Sequence, residues 1–235
     1  MEEELRDKPF VTEEVKRLLK QKQKTLHDGP LTTHYYEIPT PKMKTYLRRA
    51  RLLWDTLHIK KPLTFWVIPA KVPRLFPAPG EPLSEKHLNG GYTYLNNNNI
   101  YIYRYEDFPK VMLHEVIHHS YLNTHTPYNE AIVEFWAVLF HLFFISTPAT
   151  FESYFQDELN WNLFLCKKLL QHNADISHAD SYIFAKTALL FHRDNYLNGQ
   201  PFSPKMITAK PFQQAIQSAP DYNQDSMRMV WRGNH

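Results

Sequence analysis

The chain has little cysteine, little glycine and no long hydrophobic run. A single cysteine in 235 residues excludes a disulfide framework and a cysteine-rich zinc finger. Six glycines against 17 prolines exclude a collagen-like chain and a Gly/Ser linker. The longest apolar run, 135–145, is interrupted by His141 and is too short to span a bilayer, so it indicates a buried core helix.

The chain also has little net charge. The formal charge of +3, from 27 basic and 24 acidic residues, is too small to indicate a nucleic-acid-binding protein by itself. A charged fraction of 22% with 14% aromatic residues argues against a disordered chain. The first seven residues are acidic and contain no apolar segment, so we expect no signal peptide. We therefore expect a soluble, cytoplasmic protein with no membrane partner.

The hydrophobic pattern predicts an α+β protein that is mostly helical, with a small antiparallel or mixed sheet. The predicted sheet region begins with a strand over Leu63–Ile68, which is followed by a loop over 69–82. It ends with a hairpin, whose strands 92–95 and 100–103 flank four asparagines. The predicted helices cover 12–26, 41–58, 107–122, 127–145, 148–172, 177–197 and 211–218. For organisation we expect an N-terminal helical segment over 1–60, a larger domain over 61–219 and a loosely docked tail over 220–235, together one compact unit.

Two features allow a nucleic-acid interpretation beside a simpler one. The helix 41–58 has a basic face, made of Lys42, Lys44, Arg48, Arg49 and Arg51. This pattern favours a solvent-exposed helix face over a nucleic-acid surface. The tyrosines of the hairpin could stack on bases, and a sheet face or a substrate edge explains them equally well. Cys166 stands among leucines and is expected to be a core residue.

The most informative segment is an H-E-x-x-H motif from His114 to His118. Residues four apart share one face of a helix, so His114 and His118 can bind one metal ion together. Glu115 lies about 100° further round the helix, where it can reach a water molecule without being a ligand. His119 falls off the ligand face. The chain contains 13 His and 14 Glu, and a random sequence of this composition and length is expected to contain about 0.04 such motifs.

A further pair of carboxylates follows on the next predicted helix. The turn at 123–127 predicts that the two helices run antiparallel. In such a hairpin Glu130 lies level with His118, and Glu134 lies level with His114. Glu130 can then complete a His-His-Glu site with a fourth position left open, as catalytic zinc requires. Glu134 can accept a hydrogen bond from the second ring N–H of His114.

H-E-x-x-H followed by Asn129-Glu130-Ala131-Ile132-Val133-Glu134 resembles the gluzincin zinc metallopeptidases, of which thermolysin is a familiar member. The resemblance spans about 30 of the 235 residues. It implies a zincin-like domain over 61–219, with the motif helix and the third-ligand helix as an antiparallel pair. The implied roles are zinc ligands His114, His118 and Glu130, general base Glu115, and Glu134 as the hydrogen-bond partner of His114.

The same resemblance has consequences outside the motif. It implies that the strand before the motif helix, 100–103, borders the substrate cleft, where an extended peptide could add to its edge. The 11 residues between His118 and Glu130 form a shorter interval than in thermolysin-like enzymes, which implies a compact version of the fold. The tyrosine or histidine that stabilises the oxyanion in such enzymes stays unassigned among Tyr182, His192 and Tyr196.

These residues predict a zinc-dependent peptidase that acts on a peptide or protein. Zinc activates water and polarises the scissile carbonyl group. Glu115 would take the proton of the water and pass it to the leaving amine. Two alternatives stay open: a catalytically silent relative with structural zinc and a partner-binding aromatic surface, and a nucleic-acid-binding protein that uses the basic helix 42–51. The presence of Glu115 favours the enzyme, because a silent site does not need it.

Overall fold

The computed structural model describes residues 12–78, 81, 83–124, 126–171, 178–224, 226–228 and 230. The chain divides into two compact units. The first, which we call the sheet unit, comprises Met1–Arg74, Asn89–Asn123 and Gly233–His235. The second, the helical unit, comprises Leu75–Leu88 and Thr124–Arg232.

Helices and strands are mixed along the chain, and the predicted α+β class is confirmed. In chain order the elements are α1 (Glu13–Leu19), β1 (Lys24–Asp28), β2 (Leu31–Tyr35), α2 (Thr40–Thr56), β3 (Leu63–Ala70), α3 (Glu85–Leu88), β4 (Gly91–Thr93), β5 (Asn99–Arg104), α4 (Phe108–Ile117), α5 (Asn129–Ile145), α6 (Phe151–Gln171), α7 (His178–Phe191), α8 (Arg193–Leu197), α9 (Lys205–Thr208) and α10 (Lys210–Gln217). In the part of the chain that the structure describes, no helix combines the length and apolarity needed to cross a bilayer.

The sheet unit is built on one mixed five-stranded sheet in the order β1-β2-β3-β5-β4. β2, β3 and β5 are mutually parallel, and the two end strands pair antiparallel to their neighbours. Val15 and Leu18 of α1 pack on a cluster that includes Ile68, Tyr101 and Tyr103 of the sheet. Helices α2 and α4 pack on each other and on the sheet, so the motif helix α4 is fixed by its neighbours.

The predicted helix over 12–26 is wrong beyond Leu19. Thr12 caps the helix by accepting a hydrogen bond from the backbone N–H of Val15, but the segment from Lys24 onward is strand β1. Gly29 and Pro30 form the turn of a β1–β2 hairpin, and Gly29 has the left-handed φ of 56° that such a turn favours. Leu26 matches the helical spacing, yet tertiary pairing with β2 decides its conformation.

β2, α3 and α9 were not predicted from the sequence, and the other predicted elements agree in kind but differ at their ends. The predicted hairpin is confirmed as β4 and β5, and the strand predicted to end at Ile68 continues to Ala70. Helix α4 ends at Ile117 rather than at 122. Beyond this residue the backbone N–H groups donate to carbonyls three residues earlier instead of four, for example from His119 to Val116. The helix predicted over 177–197 is interrupted at His192 between α7 and α8.

The helical unit has a large apolar core. Fully buried members include Trp161, Phe164 and Cys166 of α6, so the core placement predicted for the cysteine is confirmed. Burial raises the pKa of Cys166 to about 12, which keeps it a thiol. The tail predicted over 220–235 is not loosely docked where it is described, because Met227 and Val230 are buried in this core. The indole N–H of Trp161 also donates to the carbonyl of Arg228 at 2.9 Å.

A buried ion pair fixes the start of α4 within the sheet unit. The Arg74 guanidinium donates to Asp107 Oδ2 at 2.8 Å, and both side chains are 1% exposed. The backbone N–H of Arg74 also donates to Glu106 Oε2 at 2.9 Å. Asp107 takes a left-handed backbone conformation, with φ 60°, directly before the helix. The segment after β3 is thereby tied to the residue at which the motif helix begins.

We expect Arg74→Met to destabilise the protein by about 3–5 kcal/mol, because it removes the guanidinium that donates to the buried carboxylate of Asp107. Urea denaturation followed by circular dichroism measures the loss. Arg51→Met is the matched control, since the pair of Arg51 with Asp55 at 2.8 Å is solvent-accessible and such pairs contribute about 0–1 kcal/mol. Equal effects of the two substitutions would contradict this role for Arg74.

Candidate metal centre

The two histidines of the motif face each other across one turn of α4. The backbone N–H of His118 donates to the carbonyl of His114 at 3.3 Å, which keeps the two residues in helical register. Their Nε2 atoms are 3.0 Å apart, and the ring centroids are 4.8 Å apart at an angle of 72°. Both rings therefore present the same nitrogen to one point, which is the arrangement that two ligands of one ion require.

Asn123 orients the second histidine, a role that the sequence analysis did not foresee. The Nδ1 atom of His118 lies 3.1 Å from Asn123 Oδ1. An amide oxygen only accepts, so Nδ1 of His118 carries the proton and Nε2 keeps its lone pair. This is the tautomer that a metal ligand binding through Nε2 needs. A polar residue five positions after a ligand, just beyond the helix end, is the only sequence signal for this contact.

Glu115 is buried, with 4% of its surface exposed, beside strand β4. The approach is close because residue 91 is glycine. A Cβ atom on Gly91 would lie 2.8 Å from the Tyr101 carbonyl oxygen, 2.8 Å from Val111 Cγ1 and 3.4 Å from Glu115 Oε1. The carboxylate is therefore held in a confined place against the backbone of the strand.

The predicted third ligand, Glu130, lies in the first turn of α5 and is exposed. His114, His118 and Glu130 each offer one ligand atom, and these atoms all lie within 4.8 Å of one another. Two imidazole nitrogens and a carboxylate oxygen are a donor set that zinc accepts. This group of three side chains could hold a metal ion.

Glu134, the predicted partner of His114, is completely buried one turn further along α5. Lys186 of α7, also completely buried, places its Nζ atom 4.0 Å from Glu134 Oε1. A buried carboxylate needs a compensating group, and the ammonium of Lys186 supplies a positive charge. The hydrogen bond from His114 to Glu134 stays a prediction. Lys186 carries no signal in the sequence, because its proximity to α5 arises from helix packing.

His119 is not part of the ligand group, and it ties the end of α4 to the sheet. The Thr93 hydroxyl donates to the carbonyl of Asn99 at 3.1 Å, so it accepts from Nε2–H of His119 at 2.8 Å. Burial, and then the charges of Lys61 and His118, lower the pKa of His119 to about 4. The ring is therefore neutral at pH 7 and joins α4 to the last residue of β4.

The strand implied to be the substrate edge is not an edge. β5, which contains 100–103, lies between β3 and β4, and β4 is the end strand of the sheet. This expectation was wrong because strand order is not visible in local sequence. β4 (Gly91–Thr93), the end strand, is the strand that is packed beside Glu115.

Some of the residues that allowed a nucleic-acid interpretation make contacts within the fold. On α2, Arg51 donates to Asp55 and its guanidinium lies 5.0 Å from the Trp54 ring. The rings of Tyr92 and Tyr101 in the hairpin stack on each other at 4.9 Å, and Tyr101 is buried in the cluster under α1. Tyr92 and Tyr101 therefore form part of a sheet face.

The oxyanion candidates all belong to the helical unit. Tyr196 packs its ring 5.1 Å from that of Phe135 and forms a hydrogen bond with Trp136, and burial raises its pKa. Burial lowers the pKa of His192, the residue between α7 and α8. Tyr182 lies on α7. The oxyanion role stays unassigned among the three.

Comparison with protein-family models, with curated proteins and with solved structures finds no match to this chain. The resemblance to gluzincins therefore stays a prediction from the motif residues. A functional interpretation depends on the chemistry of the side chains themselves, chiefly the histidine pair, the carboxylate of Glu130 and the buried Glu115.

Proposed function

We propose that this protein is a zinc-dependent metallopeptidase, a compact enzyme of the gluzincin type. The observation that carries the proposal is the group formed by His114, His118 and Glu130, whose ligand atoms lie within 4.8 Å of one another. The buried carboxylate of Glu115, next to the first ligand in the chain, supports an enzyme over a structural metal site. A structural site is normally closed by four protein ligands, whereas a catalytic site keeps one position open.

His114, His118 and Glu130 would hold the ion, and Asn123 keeps His118 in the tautomer that binds it. A zinc ion bound there supplies Lewis acidity, which activates water and polarises a carbonyl group. Glu115 takes a proton from the attacking water on a carboxylate oxygen and returns it to the nitrogen of the leaving amine. Burial of this carboxylate against β4 keeps bulk water away from the proton that it carries.

The proposal is tested by measuring zinc and hydrolysis on the same preparation. We expect about one zinc per chain by elemental analysis, because two imidazoles and a carboxylate that meet at one point bind zinc strongly. We also expect cleavage products from a mixed peptide library by mass spectrometry. Treatment with a chelator should remove both, and one equivalent of zinc should restore both.

The control is magnesium, which prefers oxygen ligands and should restore nothing. A protein that binds zinc yet cleaves no peptide in the library would contradict the peptidase proposal and favour a silent, structural site. Cleavage that persists after complete removal of the metal would contradict it as well.

A further inference from the structure

The charge of the chain is unevenly distributed between the two units. The sheet unit carries eighteen Lys and Arg residues against twelve Asp and Glu residues, a formal charge of +6. The helical unit carries nine against twelve, a formal charge of −3. The motif helix α4 belongs to the positive unit. A positive field raises the local concentration of anionic partners and disfavours cationic ones.

Lys61, between α2 and β3, is a half-buried cation of the sheet unit. Its ammonium group donates to the carbonyl of Leu95 at 3.2 Å, which uses one of its three N–H groups. Within the described part of the chain, no carboxylate forms an ion pair with it. Burial lowers the pKa of Lys61, so the charge is partly removed from water without an anionic partner.

Lys61 is connected to the motif helix through strand β4. Thr93, the last residue of β4, contacts His119, which directly follows the ligand His118. Lys61 donates a hydrogen bond to the carbonyl of Leu95, two residues beyond Thr93. An extended peptide that adds to β4 would run beside the strand whose continuation, at Leu95, Lys61 contacts.

We infer that the substrate is a polypeptide segment with acidic side chains, and that Lys61 selects it by binding one of their carboxylates. This inference rests on the proposed peptidase function and names the substrate class of that site. A single half-buried cation suits a single carboxylate, whereas nucleic-acid binding depends on neutralising many phosphates. The pairing of Arg51 with Asp55 on α2 also favours a peptide over a nucleic acid.

The inference is tested by binding, without turnover. The protein is the zinc-loaded Glu115→Gln variant, and the probes are two fluorescent dodecapeptides that differ only in glutamate or glutamine at every second position. Alternate placement puts the carboxylates on one side of an extended chain. Fluorescence anisotropy should show about five- to tenfold tighter binding of the glutamate peptide, as one favourable charge contact gives.

Lys61→Met, made in the same background, should remove most of this preference, and Lys61→Arg should retain it because the charge is kept. The matched control is Lys60→Met, which removes the same charge from the exposed neighbouring residue and should retain the preference. Urea denaturation shows whether the variants are folded. If Lys61→Met does not fold, Lys61→Arg still tests whether the positive charge carries the preference.

Several results would overturn the inference: no preference for glutamate, equal loss in the Lys60 and Lys61 variants, or tighter, Lys61-dependent binding of a single-stranded oligonucleotide. The two proposals fail differently. If binding shows the Lys61-dependent preference but the wild-type protein cleaves neither peptide, the recognition role stands and the peptidase function fails. If wild type and Lys61→Met cleave both peptides equally well, the peptidase function stands and the role of Lys61 fails.

Discussion

Replacing Glu115 by glutamine is expected to abolish nearly all peptide hydrolysis while the metal stays in place. Glutamine has the same shape but cannot accept and return a proton, and loss of a general base typically lowers the rate by about 10²- to 10⁴-fold. Because Glu115 is not one of the three grouped ligands, zinc content should be unchanged. The measurements are kcat/KM on a cleaved peptide and elemental analysis of the same sample.

The matched control for Glu115→Gln is Glu13→Gln, which neutralises an exposed carboxylate of α1 that contacts only Lys16 in the described structure. It should leave both hydrolysis and zinc content as in the wild type. Full activity of Glu115→Gln would remove the role assigned to this residue. Loss of zinc in the same variant would instead indicate that Glu115 supports the metal rather than the proton transfer.

Replacing His114 by alanine is expected to lose the metal. Mutating a partner outside the ligand shell typically weakens metal binding by about 10- to 100-fold, and removal of a ligand should exceed this. The affinity is measured by competition with a chromophoric chelator, and the zinc content by elemental analysis after dialysis. Hydrolysis should fall in parallel with the zinc content, since the site without metal has no activating group.

His119→Ala is the matched control, because it removes an imidazole five residues further along, outside the ligand group. It should keep zinc while it breaks the contact of α4 with Thr93. Unchanged zinc content in His114→Ala would refute ligation by His114. Equal loss in both variants would mean that the end of α4, rather than one ligand, determines metal binding.

What the sequence predicts well is set by short-range geometry. The shared face of His114 and His118 follows from the helical repeat alone, and the observed 3.0 Å between their Nε2 atoms agrees with it. The apolar stripe of the helix predicted over 41–58 is likewise local, and its members Met43 and Leu47 are buried. In both cases the period of a single element determines which side chains share a face.

What the sequence does not predict depends on partners that are distant in the chain. Lys24–Asp28 becomes a strand because β2 pairs with it, although Leu26 fits a helical stripe. β5 lies inside the sheet rather than at its edge, because it pairs with β3, which is distant in the chain. Lys186 and Lys61 lie 52 and 34 residues from Glu134 and Leu95, and only the folded chain brings each pair together.

Residues 75–88 belong to the helical unit, although they interrupt the sheet unit between Arg74 and Asn89. This placement limits where the chain can be cut into separate units. Leu83 of this excursion is 4% exposed within the core built mainly by α5, α6 and α7. Neither unit is thus a single continuous stretch, and no single cut yields both of them intact. During synthesis, residues 75–88 leave the ribosome well before the C-terminal helices do. Their apolar side chains can be buried only after those helices have also been released.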